Sequence, residues 1–225
     1  MNGNIHRVGF LRVPKDLSTL PAFRFGKKRF VTPKTIDLSD FNLRPKDQLD
    51  KPYCAGFAAA TYVENLLWRK TAIPKTIDPV PIYERAKQLD GMPDEDGTTL
   101  TAALQAVLDL GYFDKNDCSI KVLRDIDQLK RCIHRYGCAL IGVMVTKEYY
   151  SCNKNNQAVM GTGDQTVLGG HALMCCGHLR EGVICRNSWG EEYGYYGDFI
   201  ITWEKLAEQF VYGATLDNPM HDFHM

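Results

Sequence analysis

The sequence predicts an α+β fold of two lobes, one mainly helical and one mainly strand-rich. Three observations lead there. Between residues 54 and 110, Ala- and Leu-rich stretches carry apolar residues near helical spacing. Beyond about residue 125 come short apolar runs bounded by glycine or turn residues. The 225 residues are enough to bury a substantial core under both.

Residues 1–35 hold three prolines and no sustained period, so they read as an extended N-terminal arm ahead of a compact domain at 36–225. The arm is apolar nonetheless: Phe10, Leu11, Val13, Leu17, Leu20, Phe23 and Phe25 form a surface that needs cover. Either it straps the back of a lobe or it lies across a substrate groove, and Pro14 and Pro21 favour the extended path that a groove accepts.

Within the domain, residues 36–125 form the helical lobe. The turn-rich KDQLDKPY leads into CAGFAAATYVENLLWRK, a helix starting at or just before Cys54, with Pro52 suited to its first turn and Asp50 to its cap. VPIYERAKQL and TLTAALQAVLDL are two more helices, the second ended by Gly111. Residues 126–225 form the β lobe. Here DIDQLKRCIHRY is a helix stopped by Gly137, and CALIGVMV, HALMCC, GVICRN and DFIIT are strands. No internal repeat interrupts this order.

Composition excludes several classes of function. The 27 basic and 27 acidic residues cancel, and the densest basic stretch, Lys27-Lys28-Arg29, is short enough for a solvated turn, so no nucleic-acid partner is expected. No apolar run approaches bilayer-spanning length, and MNGNIHRVGF lacks the apolar core of a signal peptide. That points to the cytoplasm, or to export without a standard leader, and to no membrane partner. Eight cysteines spread through the chain in apolar contexts read as reduced packing residues, Cys54 apart.

Three segments carry chemistry. Cys54 opens a helix, where unpaired backbone N–H groups favour a thiolate. In LGGHALMCCGH, His171 enters an apolar strand behind two glycines, sterically open on one side as a group that meets substrate must be. In VICRNSWG an apolar run delivers Asn187, whose amide oxygen can fix an imidazole tautomer, and then Trp189, whose indole can keep water off that bond. A rival reading takes His171, Cys175, Cys176, His178 and Cys185 as zinc ligands. Adjacent cysteines on a strand point to opposite faces, so no metal site is expected.

The ordered series of helix-opening Cys, Gly-His-Ala strand and Asn-Ser-Trp-Gly resembles the papain-like cysteine peptidases, in particular their short prokaryotic and phage-type branch, over most of residues 36–210. The resemblance implies a two-lobed fold with a cleft between the lobes, and a nucleophile at Cys54, its base at His171, the orienter at Asn187 and an oxyanion donor at Gln48, six residues before the cysteine. It also implies substrate contacts at Gly97, Gly170, Ala172 and Trp189, a peptide or protein substrate, no cofactor and a monomer. The branch's alternatives are an amidase or isopeptidase acting on a non-standard substrate, and a silent binding protein with the same fold. Two departures stand out: Lys51 replaces the family's first cysteine, removing its disulfide, and Ala55 replaces an aromatic residue. The interval from Cys54 to His171 is also shorter than the roughly 130–150 residues of papain and cathepsins, which implies trimmed loops in the β lobe.

Overall fold

A computed structural model of the chain describes residues 11–23 and 33–217. The basic turn at Lys27-Lys28-Arg29 and the arm residues Phe10 and Phe25 lie outside these. The helical lobe is built from α1 (Cys54–Thr71), α2 (Pro79–Leu89) and α3 (Leu100–Asp109). Every residue of α1 from Cys54 to Leu66 is buried, which makes it the central helix. Asp78 caps α2 by accepting from Val80 N–H, and Thr99 caps α3 by accepting from Ala102 N–H.

The start of α1 departs from expectation. Its N-cap position is Tyr53, with no side-chain cap, and Pro52 lies ahead of the first turn. Asp50 sits in a separate turn closed by Lys51 N–H to Gln48 C=O at 3.0 Å. The helix therefore presents its first amides uncapped at Cys54.

The sheet is assembled from β1 (Ile36–Asp37), β2 (Ser119–Leu123), β3 (Ala139–Thr146), β4 (Ala158–Val159), β5 (Val167–His178), β6 (Gly182–Arg186), β7 (Asp198–Thr202) and β8 (Phe210–Asp217). Their order is β2-β8-β3-β5-β6-β7-β4, and β1 adds to β5. Two further helices are α4 (Ile126–Tyr136), closed by Gly137 at φ 85°, and α5 (Trp203–Gln209). Strand alternation divides two cores across this sheet. Ala172, Met174 and Cys176 of β5 pack with α1 and α3. Leu173 and Cys175 pack with α4 and Leu206 of α5 on the other face. The adjacent cysteines thus face opposite ways, as strand geometry requires, and all eight cysteines are buried free thiols.

The strands β1, β2, β4 and β8 and the helix α5 extend what the sequence reading found. Because β2 pairs with β8 and β1 with β5, the sheet draws strands from both sides of residue 125. Among the described residues no helix is long and apolar enough to cross a membrane.

The arm does two things in succession. Leu11 and Arg12 lie at the junction of the helical layer and the sheet: Leu11 N–H donates to Gly170 C=O at 3.2 Å, and Arg12 N–H to Thr98 C=O at 3.1 Å. Farther on, Phe23 N–H donates to Val122 C=O and Val122 N–H to Pro21 C=O, both at 2.9 Å, so the arm covers the outer edge of β2. Arg124 fastens this stretch by donating to the carbonyls of Leu17, Ser18 and Leu20.

Candidate active site

Cys54 is the first residue of α1, fully buried against the backbone of Ala172, the residue that follows His171 on β5. Burial pushes its thiol up to about 12, against the pull of backbone hydrogen bonds from Ala172, Ala55 and Cys54 itself. A solitary thiol here would stay protonated. Thiolate formation at this position needs a positive charge beside it as well as the helix amides.

His171 supplies the imidazole. Its Nε2 lies 2.8 Å from Asn187 Oδ1, and that same oxygen accepts Ser188 N–H at 2.8 Å. With the amide oxygen so identified, Nε2 must carry the hydrogen, and in the neutral ring Nδ1 holds the lone pair. Trp189 lies 5.0 Å from the imidazole, centroid to centroid, and is almost wholly buried, so the His171–Asn187 bond is shielded as the NSWG motif suggested. The Tyr193 hydroxyl sits beside the Asn187 amide and the Cys152 thiol.

Gln48 is buried in the turn before α1 and fastened at three points. Its backbone N–H donates to Ser188 C=O at 2.9 Å, its Oε1 accepts Ser188 Oγ–H at 2.6 Å, and its Nε2 donates to Lys51 C=O at 2.8 Å. Ser188, unremarked in the sequence beyond its place in NSWG, therefore holds the glutamine to the asparagine strand across 140 residues of chain.

The candidate contact residues divide. The Gly170 carbonyl accepts from the arm at Leu11 N–H, and the Ala172 backbone hydrogen-bonds the Cys54 thiol. A Cβ at Gly170 would come within 3.0 Å of the Leu11 carbonyl oxygen, so its lack of a side chain is what admits a chain so close. On β3, a Cβ at Gly142 would meet Leu11 Cδ2 at 1.9 Å, which makes Gly142 the floor of the Leu11 socket. Gly97 is turned away: its N–H donates to Tyr83 Oη at 3.2 Å and its carbonyl accepts Lys87 Nζ at 3.0 Å. The neighbouring Thr98 carbonyl faces the arm instead. Lys87, which also gathers the carbonyls of Met92 and Glu95, sets this loop's orientation, and nothing in the local sequence announces it. Tyr212 of β8 was also missed. Its hydroxyl accepts Leu100 N–H at 2.7 Å and donates to Arg12 C=O at 3.3 Å. Among the described residues no three His, Cys, Asp or Glu side chains are grouped to hold a metal ion.

No sequence-family model and no curated protein matches this chain significantly. Solved structures do. Xylellain, a cysteine protease from Xylella fastidiosa, superposes at TM-score 0.72 with 19% identity, covering 94% of this chain and 97% of its own. ProCathepsin B S9 from Trypanosoma congolense gives 0.69 at 15% identity over 93% and 85%. Digestive procathepsin L 3 of Tenebrio molitor larval midgut gives 0.62 at 14% identity over 95% and 76%. Helices and sheet packed in this order, with Cys54 opening the central helix and His171 and Asn187 on neighbouring segments, give the chain the fold of the papain-like cysteine proteases.

Proposed function

We propose that the protein is a cysteine peptidase in which Cys54 is the nucleophile, His171 its base and later its acid, Asn187 the orienter and Gln48 an oxyanion donor. The observation that carries this reading is the 2.8 Å contact between His171 Nε2 and Asn187 Oδ1, which leaves Nδ1 as the basic nitrogen on a residue adjoining the Cys54 pocket. His171 takes the Cys54 proton, and the resulting imidazolium offsets the burial that otherwise opposes the thiolate. The sulfur attacks the peptide carbonyl carbon. The oxyanion accepts from Cys54 N–H and from the Gln48 amide, whose NH2 group has two donor hydrogens. His171 then gives its proton to the leaving amine, and a water activated by the same imidazole hydrolyses the thioester, releasing a carboxylic acid and restoring the thiol.

A peptide or protein is the substrate this chemistry implies, and no cofactor enters it. The test is hydrolysis of a quenched fluorescent peptide mixture by the wild type and by Cys54→Ala. The wild type is expected to cleave and the variant to be inert while keeping the wild-type melting temperature. A Cys54→Ala variant that cleaves at near the wild-type rate overturns the mechanism. A silent binding protein is distinguished by its thiol: in a live site Cys54 reacts with iodoacetamide below the pH at which an ordinary thiol does.

A further inference from the structure

Cys175 of β5 and Cys185 of β6 stand directly opposite each other in the antiparallel ladder, ten residues apart in the chain, and their Sγ atoms lie 3.5 Å apart. Both side chains are wholly buried in the apolar core that α4 and α5 cover, and both are free thiols. The register shifts immediately beyond them: Gly177 pairs with Ile184, which leaves Cys176 as the extra residue of a β-bulge. Cys176 belongs to the other core, where its sulfur accepts from Asn42 Nδ2 at 3.2 Å, so it does not compete for Cys185. Opposed residues of an antiparallel pair have Cα atoms roughly 4.5–5.5 Å apart, inside the roughly 4.4–6.8 Å that a disulfide spans. Two sulfurs already in contact at such a position need only side-chain rotation to bond. The peptidase chemistry uses neither thiol.

We propose that Cys175 and Cys185 are a modification site: a disulfide staple closes between β5 and β6 when the chain folds in the presence of a low-molecular-weight disulfide such as oxidised glutathione. The thiolate of one cysteine attacks the small disulfide, forming a mixed disulfide and expelling one small thiolate. The thiolate of the other then attacks the protein-side sulfur of that bond and expels the second. One small disulfide is reduced to two thiols, the two cysteines are oxidised, and their two protons pass to the departing sulfurs. Folding is the moment for this exchange. In the finished core burial pushes the Cys175 thiol well up and holds its proton, and a reagent the size of glutathione does not reach a wholly buried sulfur. The same burial afterwards shields the bond from reductants. The staple sits in the part of the sheet that positions the candidate site, since Cys175 lies four residues beyond His171 on β5 and Asn187 follows Cys185 by two. Its formation needs no catalytic role for Cys54, so the staple and the peptidase reading stand or fall separately.

The test refolds the full-length protein from urea either in oxidised and reduced glutathione or in dithiothreitol alone. A native sample is held for days in the glutathione buffer with urea below its unfolding transition, where the strands open transiently, so that a poor refolding yield does not decide the result. Free thiols are then alkylated with iodoacetamide in strong denaturant, and unreduced peptides are mapped by mass, with fragment ions locating the link. The expected product in glutathione joins Cys175 to Cys185, and it is absent from the dithiothreitol sample. Its melting temperature should exceed that of the dithiothreitol sample by on the order of 5 °C, as closing a loop of this length gives. Cys185→Ala, treated identically, should show no such rise whatever its own melting temperature, which separates the staple from adducts at other thiols, while Cys176→Ala should keep both the link and the rise. Recovery of Cys175 and Cys185 as alkylated thiols overturns the proposal, as does a main product in which either is joined to another cysteine or to glutathione. A Cys175–Cys185 link with no rise in melting temperature overturns its role as a staple.

Discussion

The oxygen of Asn187 settles which nitrogen of His171 carries the proton, because Ser188 N–H donates to the same atom and so identifies it as the acceptor. On the proposed roles, removing this amide would loosen an orientation, whereas removing His171 would remove the base. Asn187→Ala is therefore expected to cost less in kcat/KM than His171→Ala, and a kinetic series in the reverse order would reject the assignment. Gln48→Ala should lower kcat on the order of 10²-fold, as loss of one oxyanion donor does, with KM changed less. Ser188→Ala leaves the donor in place but frees it from the 2.6 Å bond at Oε1, so its effect should be in the same direction and smaller. Cys54, His171 and Asn187 stood out as candidates from the order of their motifs, and Gln48 from the resemblance those motifs carry. Ser188 was not, because its role depends on what the glutamine turn does 140 residues away.

Among the elements, α1 and the segment from β3 to β5 shape the site most. With Tyr53 at its cap position and no side chain accepting from it, α1 keeps its partial positive end for whatever occupies the Cys54 pocket. The segment after β3 is stapled by Glu148, whose carboxylate accepts N–H groups of Met160, Gly161 and Thr162 and the Gln165 amide. Burial pushes this carboxyl up, but the Gln165 amide and the backbone donors outweigh it, and its pKa ends below the ordinary 4.5. A lowered carboxyl stabilises the fold fully above the unfolded value and progressively less as pH falls through the native one. Thermal melting between pH 7 and pH 3 should therefore show wild type losing stability toward acid. Glu148→Gln should start lower at pH 7 and converge on the wild type in acid, and parallel curves would show that the staple does not titrate as described. At this scale the sequence yielded the four main helices through apolar spacing and end signals, and four strands as short apolar runs bounded by glycine or turn residues. It hid β8, whose FVYGATLD is interrupted by glycine, and β2, which is half exposed and was absorbed into the helical half.

For the molecule as a whole, the arm links site and surface. Leu11 packs on the same apolar cluster as Cys54, and its backbone and that of Arg12 bond to the sheet on one side and the helical lobe on the other. The Arg12–Glu95 ion pair at 2.8 Å is half exposed and contributes on the order of 0–1 kcal/mol, so apolar seating and backbone bonds hold the segment. We propose that the arm so seated limits access to the Cys54 pocket, because a tethered segment competes with substrate at high effective concentration. A chain starting at Thr32 should react faster with iodoacetamide at Cys54 and cleave peptides faster than the full chain. Unchanged rates in a folded truncation would reduce the arm to a strap. Gly142→Ala gives an independent check, since its methyl invades the Leu11 socket and should raise the alkylation rate without shortening the chain.

The sequence by itself determined the two-part α+β character, the helix that opens at Cys54, and the alternation that puts Cys175 and Cys176 on opposite faces. Each of these is local, set by a backbone period or by the chemistry of a few adjoining residues. Only the tertiary structure decided that Thr98 rather than Gly97 turns a carbonyl to the arm, that Ser188 holds Gln48, and that Leu11 lies in a socket floored by Gly142. Those features join segments tens to more than a hundred residues apart, and which long-range pair meets depends on how whole faces pack, to which no short window of sequence is sensitive.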